Sequence, residues 1–157
     1  VSAPALNMRW WAARGTGAYK GKSLAAASRI RVSNVSRIED ASLSYSSLTG
    51  WERRQAGLGP FLELADSCWR TRAYGDFWSY MLVAEGAVDI ACEPELELYD
   101  MAALVPIVTE AGGRFTSLDG ADGPFGANAL ATNTLLHEHV LAVLNQPRRT
   151  GAHRAAD

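Results

Sequence analysis

The chain has 157 residues, 48% of them apolar and 20% charged, with a formal net charge of −2 at neutral pH. That balance belongs to a folded globular chain and argues against a disordered one. It gives no electrostatic reason to expect nucleic acid or an anionic membrane as partner, and no apolar run reaches the about 20 residues of a transmembrane helix.

Residues 1–33 read as β-rich. A strand over Met8–Ala13 leads into Gly15-Thr16-Gly17, and Tyr19-Lys20-Gly21 follows as a second turn signal. Residues 29–33 alternate as a short strand. A hairpin alone buries little, so Trp10 and Trp11 are expected to be poorly covered. With Val1 in place of Met, this stretch reads as a cut edge.

From residue 34 onward strands and helices alternate, which predicts an α/β layer over residues 34–145. Residues 42–48 suit a strand, and Gly59-Pro60 opens a helix through Asp66, with Pro at a tolerated early position. Residues 68–74 read as another strand. Residues 77–85 are apolar almost all round, as in a helix packed inside a domain, and Gly86 ends it. Residues 88–92 form a short buried strand. Met101, Leu104, Val105 and Val108 then repeat at helical spacing up to Gly112-Gly113. Pro106 lies inside that helix, where it removes a backbone N–H and predicts a kink.

Residues 114–118 return as a strand, Asp119-Gly120 and Asp122-Gly123 mark turns, and residues 128–132 form a further strand. Asn133 is the expected N-cap of a last helix that turns Leu136, Val140, Val143 and Leu144 inward. His137 and His139 are expected on its surface. Residues 146–157 are polar and Arg-rich and read as a disordered tail. Cys68 and Cys92 read as small buried hydrophobes, the usual state in a reducing compartment.

Three polar clusters fall where strands hand over to helices. Arg72, Gly75 and Asp76 form one, Glu93, Glu95 and Glu97 a second, and Asp100 opens the next helix. Ligands of open α/β sheets bind beyond the carboxyl ends of strands, so these groups can share one crevice. Asp100 reads as a helix cap or as a hard oxygen ligand for Mg²⁺, and its two oxygens make both possible at once. By default the three glutamates are a solvated loop, Arg72 an exposed strand-end charge and Asp76 a cap. Ser46 and Ser47 lack a neighbour that would make either a nucleophile.

Tyr99-Asp100-Met-Ala-Ala, continuing to Val108-Thr-Glu-Ala-Gly-Gly113, resembles the Trp-Asp-x-Ala-Ala … Glu-Ala-Gly-Gly signature of the inositol monophosphatase-like superfamily. Arg72-Ala-Tyr-Gly75-Asp76-Phe and Leu82-Val-Ala-Glu-Gly86-Ala-Val-Asp bring the likeness closest to bacterial, actinobacterial-type histidinol-phosphate phosphatases. The resemblance covers residues 1–145. It implies the C-terminal α/β domain of the inositol monophosphatase/fructose-bisphosphatase-like sandwich, with residues 1–33 as the β-strand remnant of an N-terminal α+β domain.

It also implies a Mg²⁺-dependent phosphomonoesterase that converts L-histidinol phosphate to L-histidinol and phosphate in the cytoplasm. Asp100 would be the metal ligand beside the substrate phosphate. Arg72, Gly75, Asp76, Phe77 and Glu93 would contact the rest of the substrate. Carboxylates at 76 and 93 favour a cationic organic group over a neutral polyol, and the imidazole of histidinol is near its pKa at neutral pH. An inositol- or polyol-phosphate phosphatase is the alternative, and a non-catalytic domain needing a partner chain is another. The family's Asp-Pro-Ile-Asp-Gly-Thr metal motif does not occur in this sequence. A complete site is therefore expected to need the N-terminal half, the isolated chain is expected to be inactive, and a homodimer is compatible with the family.

Overall fold

Alternating side chains build the first layer of the computed structural model, which describes residues 1–147. Most of the predicted tail thus lies outside the described residues. Strands β1 (Ser2–Ala3), β2 (Met8–Ala13), β3 (Gly17–Gly21) and β4 (Ala27–Ile30) form an antiparallel sheet in chain order. The pairing sets Trp10 opposite Lys20 and Trp11 opposite Tyr19. Tyr19-Lys20-Gly21 is therefore strand and not the predicted turn. Long-range contacts override its local signal: Trp11 stacks on Tyr19 at 6.3 Å and Lys20 pairs with Glu85. Gly21 serves close approach, since a Cβ there would lie 2.2 Å from the Ala26 carbonyl oxygen.

The second sheet holds β5 (Ser42–Ser44), β6 (Arg70–Arg72), β7 (Ile90–Glu93), β8 (Arg114–Thr116) and β9 (Ala129–Thr132) in the order β6-β5-β7-β9-β8. β5 runs parallel to both β6 and β7, while β9 is antiparallel to β7 and β8. Among the described residues the α-helices are α1 (Gly59–Ser67), α2 (Asp76–Ala84), α3 (Leu98–Met101), α4 (Leu104–Glu110) and α5 (His137–Leu144).

Successive residues of a strand face opposite sides, and here the two sides carry different sizes. Ala91, Ala129 and Ala131 face the core that contains Tyr80, Met81, Leu104 and Val108, so α2 and α4 can sit close to the sheet. Ile90, Cys92 and Leu130 face the other core, with Leu43, Phe61, Leu64, Val140 and Leu144 of β5, α1 and α5. Trp10, Ala18 and Ile30 of the first sheet belong to the same core as α2 and α4. The layers thus run sheet, helix, sheet, helix.

That shared core corrects the expectation for the tryptophans. Trp10 is only 4% exposed, donates its indole N–H to Glu85 and packs 6.1 Å from Phe77. Trp11 is half-buried on Tyr19.

The helix carrying the signature breaks into α3 and α4, separated by Ala102 and Ala103. The break is where Pro106 requires it, because its ring clashes with the carbonyl four residues back and it has no N–H to offer that oxygen. Pro106 falls in the first turn of α4, where a missing N–H costs little. Among the described residues, no helix is long and apolar enough to cross a membrane.

Candidate functional site

The carboxyl ends of the parallel strands β5 and β7 point at one region, which the starts of α2 and α3 also reach. Ser44 and Ala91 are register partners, so Ser46, just past β5, and Glu93, the last residue of β7, each two residues further on, come together. Ser46 Oγ donates to Glu93 Oε2 at 2.7 Å. Glu93 is 4% exposed, not the solvated loop residue expected by default. Burial pushes its carboxyl pKa up, the charges of Asp76 and Asp100 add to this, and the Ser46 bond opposes it.

Its neighbours have separate tasks. Glu95 forms a two-oxygen ion pair with Arg53 at 2.7 and 3.0 Å on the exposed surface. Glu97 is the N-cap of α3, and Asp100 is its reciprocal partner in a capping box. Asp100 Oδ2 accepts the Glu97 N–H at 3.1 Å. The expected capping role of Asp100 thus takes a reciprocal form, using Oδ2 of an exposed carboxylate that has a second oxygen.

The turn into α2 is conformationally demanding. Gly75 has φ 77 and ψ 166, a region open essentially to glycine alone. Asp76 follows at φ 48, which Asp tolerates better than most side chains. This turn brings Asp76 to a cavity of about 340 Å³ whose wall includes Phe77, Tyr80, Tyr99 and Asp100. The sequence-predicted residues Asp76, Phe77 and Asp100 therefore share one cavity. Glu93 is buried behind the wall, beside Tyr80. Arg72 does not line the cavity: it stands exposed at the end of β6 with its guanidinium on the Thr71 carbonyl.

Sequence reasoning passed over Tyr80 and the role of Ser46. Tyr80 looked like one more apolar residue of a buried helix, and it is fully buried, its phenol pKa pushed well up by burial and then by the charge of Glu93. The link from Ser46 to Glu93 depends on the pairing of β5 with β7, which no local pattern encodes.

A carboxylate-rich cavity of this kind can attract a cation. Among the described residues, no group of three or more His, Cys, Asp or Glu side chains could hold a metal ion. Asp100 alone does not make a Mg²⁺ site, because that ion takes six oxygens in near-octahedral geometry.

Residues 1–152 match the Inositol monophosphatase family. The chain is 60% identical over 146 residues to a histidinol-phosphatase of Streptomyces coelicolor, covering 93% of this chain and 54% of that protein. It is 59% identical over 146 residues to a histidinol-phosphatase of Mycobacterium tuberculosis, covering 92% and 55%. In structure, an IMPase of Thermotoga maritima superposes with a TM-score of 0.77 at 30% identity, covering 91% of this chain and 53% of that one. The chain spans about half the length of the curated relatives it matches.

Proposed function

The chain belongs to the inositol monophosphatase family, and on that premise we propose that it forms part of a Mg²⁺-dependent phosphomonoesterase that hydrolyses L-histidinol phosphate. The observation that carries the substrate reading is Asp76 on the cavity wall with Glu93 buried behind it, near enough for the Asp76 charge to act on it, on a chain whose relatives at 59% and 60% identity are named histidinol-phosphatase. Two carboxylates near the organic end of the substrate favour its ammonium and its partly protonated imidazole. Phe77 and Tyr99 give that end an aromatic wall.

Asp100 would contribute one oxygen to the metal, which when bound supplies an activated water and stabilises charge on the phosphoryl group. The remaining ligands are not among the described residues, so the reaction needs further protein segments. The free thiols Cys68 and Cys92 suit the reducing cytoplasm in which we place the reaction.

Two other readings have an observation behind them. An inositol- or polyol-phosphate phosphatase is supported by the likeness to the Thermotoga maritima IMPase. A non-catalytic domain that works with a partner chain is supported by the incomplete ligand set.

Phosphate release separates the three. In its full natural length the protein should prefer L-histidinol phosphate over inositol phosphate by about tenfold or more in kcat/KM, roughly the 1.4 kcal/mol of one modest ionic contact. Asp100→Asn should abolish turnover, and the 157-residue chain alone should release no phosphate. Equal kcat/KM for the two substrates would overturn the substrate assignment, and no turnover of either would favour the non-catalytic domain.

A further inference from the structure

Two buried polar atoms next to the cavity have no hydrogen-bond partner: Tyr80 Oη and Glu93 Oε1. Leaving either unsatisfied is costly, and a phenol O–H and a carboxylate oxygen are natural partners for each other. Each group also influences the other's ionisation. Next to burial, the Glu93 charge raises the Tyr80 phenol, as expected of two groups lying side by side.

The framework fixes where the phenol points. Ser79 Oγ and Ser44 Oγ lie 2.7 Å apart, pinning α2 to β5, and the Tyr80 ring packs 5.5 Å from Phe115. A phenol oxygen lies on the axis of its own ring flip, so only the backbone and χ1 set its position, and both are held here. Phe at this position would pack as well, so packing does not explain the hydroxyl.

We propose that Tyr80 is a positioning residue whose hydroxyl donates to Glu93 Oε1 while Ser46 holds Oε2, a two-hydroxyl clamp that keeps Glu93 ionised and oriented to select a cationic organic group on the substrate. The selectivity half of this proposal rests on the histidinol phosphate reading, whereas the clamp itself does not. Without the clamp, a carboxylate already raised by burial and by Asp76 and Asp100 protonates more readily and attracts a cation less.

Tyr80→Phe in the full-length protein tests both halves. The titration midpoint of Glu93, followed by carboxyl ¹³C NMR and assigned with Glu93→Gln, should rise in Tyr80→Phe and again in Ser46→Ala. The kcat/KM for L-histidinol phosphate should fall about tenfold further than that for inositol phosphate, mostly through KM, as expected when a binding interaction is lost uniformly. An unchanged Glu93 midpoint in Tyr80→Phe overturns the clamp, whatever the enzyme hydrolyses. A raised midpoint with an unchanged substrate ratio supports the clamp and overturns the selectivity. Failure of the unmodified protein to prefer histidinol phosphate tells against the substrate reading alone.

Discussion

Strand β7 has a buried carboxylate at each end, and the two ends are built on opposite plans. Asp89, just before the strand, is 5% exposed and fully engaged. Ser33 Oγ donates to its Oδ1, and the Ser42 amide and hydroxyl donate to Oδ2 at 2.7 and 2.9 Å. Asn133 extends the network by donating to Ser33 Oγ at 2.9 Å and to the Val35 carbonyl at 2.7 Å. Glu93, at the other end, is 4% exposed and takes one bond, from Ser46, while its Oε1 has only the Tyr80 hydroxyl of the proposed clamp to turn to. Equal burial with unequal satisfaction separates a carboxylate that holds the fold from one that stands ready for something else.

Substitution at the two ends should expose this most strongly. Asp89→Ala strands the Ser42 amide and two hydroxyls, and should lower stability by about 3 kcal/mol in urea unfolding. Glu93→Gln should cost less than about 1 kcal/mol, because it also removes a charge that burial disfavours. Comparable losses at the two positions would erase the distinction.

A second buried titratable group sharpens the comparison through pH. His137 is fully buried, not on the surface as expected, with Nε2 3.0 Å from Thr116 Oγ1 and Nδ1 2.9 Å from Thr132 Oγ1. Thr116 gives its own hydroxyl proton to the Ser117 carbonyl at 2.6 Å, so Nε2–H donates to Thr116 and Nδ1 accepts from Thr132. The neutral ring is satisfied, and burial followed by the charge of Arg114 lowers its pKa from 6.5 to about 4.

Between those two values the unfolded chain binds more protons, so His137 makes stability rise with pH across that window. Across that window it should contribute on the order of 3 kcal/mol, at roughly 1.4 kcal/mol per pH unit. Glu93, raised instead, makes stability fall as pH climbs from the ordinary carboxyl value through its own. Thermal melts against pH of the unmodified protein, His137→Gln and Glu93→Gln should show slopes of opposite sign removed by the two substitutions. Slopes of the same sign would break the contrast.

The smallest effect belongs to the glutamate that looks most like Glu93 in sequence. Glu95→Ala removes an exposed pair with Arg53 and should shift stability by less than about 0.5 kcal/mol in the same unfolding assay.

The glutamates also show what a sequence reveals and what it withholds. Glu93, Glu95 and Glu97 alternate identically, yet one is buried, one is paired at the surface and one caps α3, because burial depends on where β7 ends against β5. Met8–Ala13, the helix opened by Gly59-Pro60 and the break forced by Pro106 were legible, since local spacing and steric rules decide them. His137 was legible in part. It shares the inward face with Val140 and Leu144 at helical spacing, but the usual preference of His for the surface outweighed that pattern. Asp100 stood out as cap and candidate ligand, whereas Tyr80 needed the tertiary structure to reveal a buried hydroxyl beside a carboxylate.

The signature itself divides its labour. Asp100 borders the cavity, while Glu110, at the end of α4, accepts the backbone N–H groups of Gly15 and Gly17 at 2.7 and 2.8 Å, so its carboxylate clips the tip of the β2–β3 hairpin. One end of the motif is available for chemistry and the other is a fastener between two layers. Such a motif can outlive the reaction it advertises: a descendant that had abandoned phosphate chemistry would still use Glu110 as a tie between its two layers. Recognition through the Glu110 end therefore speaks to architecture, and the Asp100 end is the one on which the proposed catalysis depends.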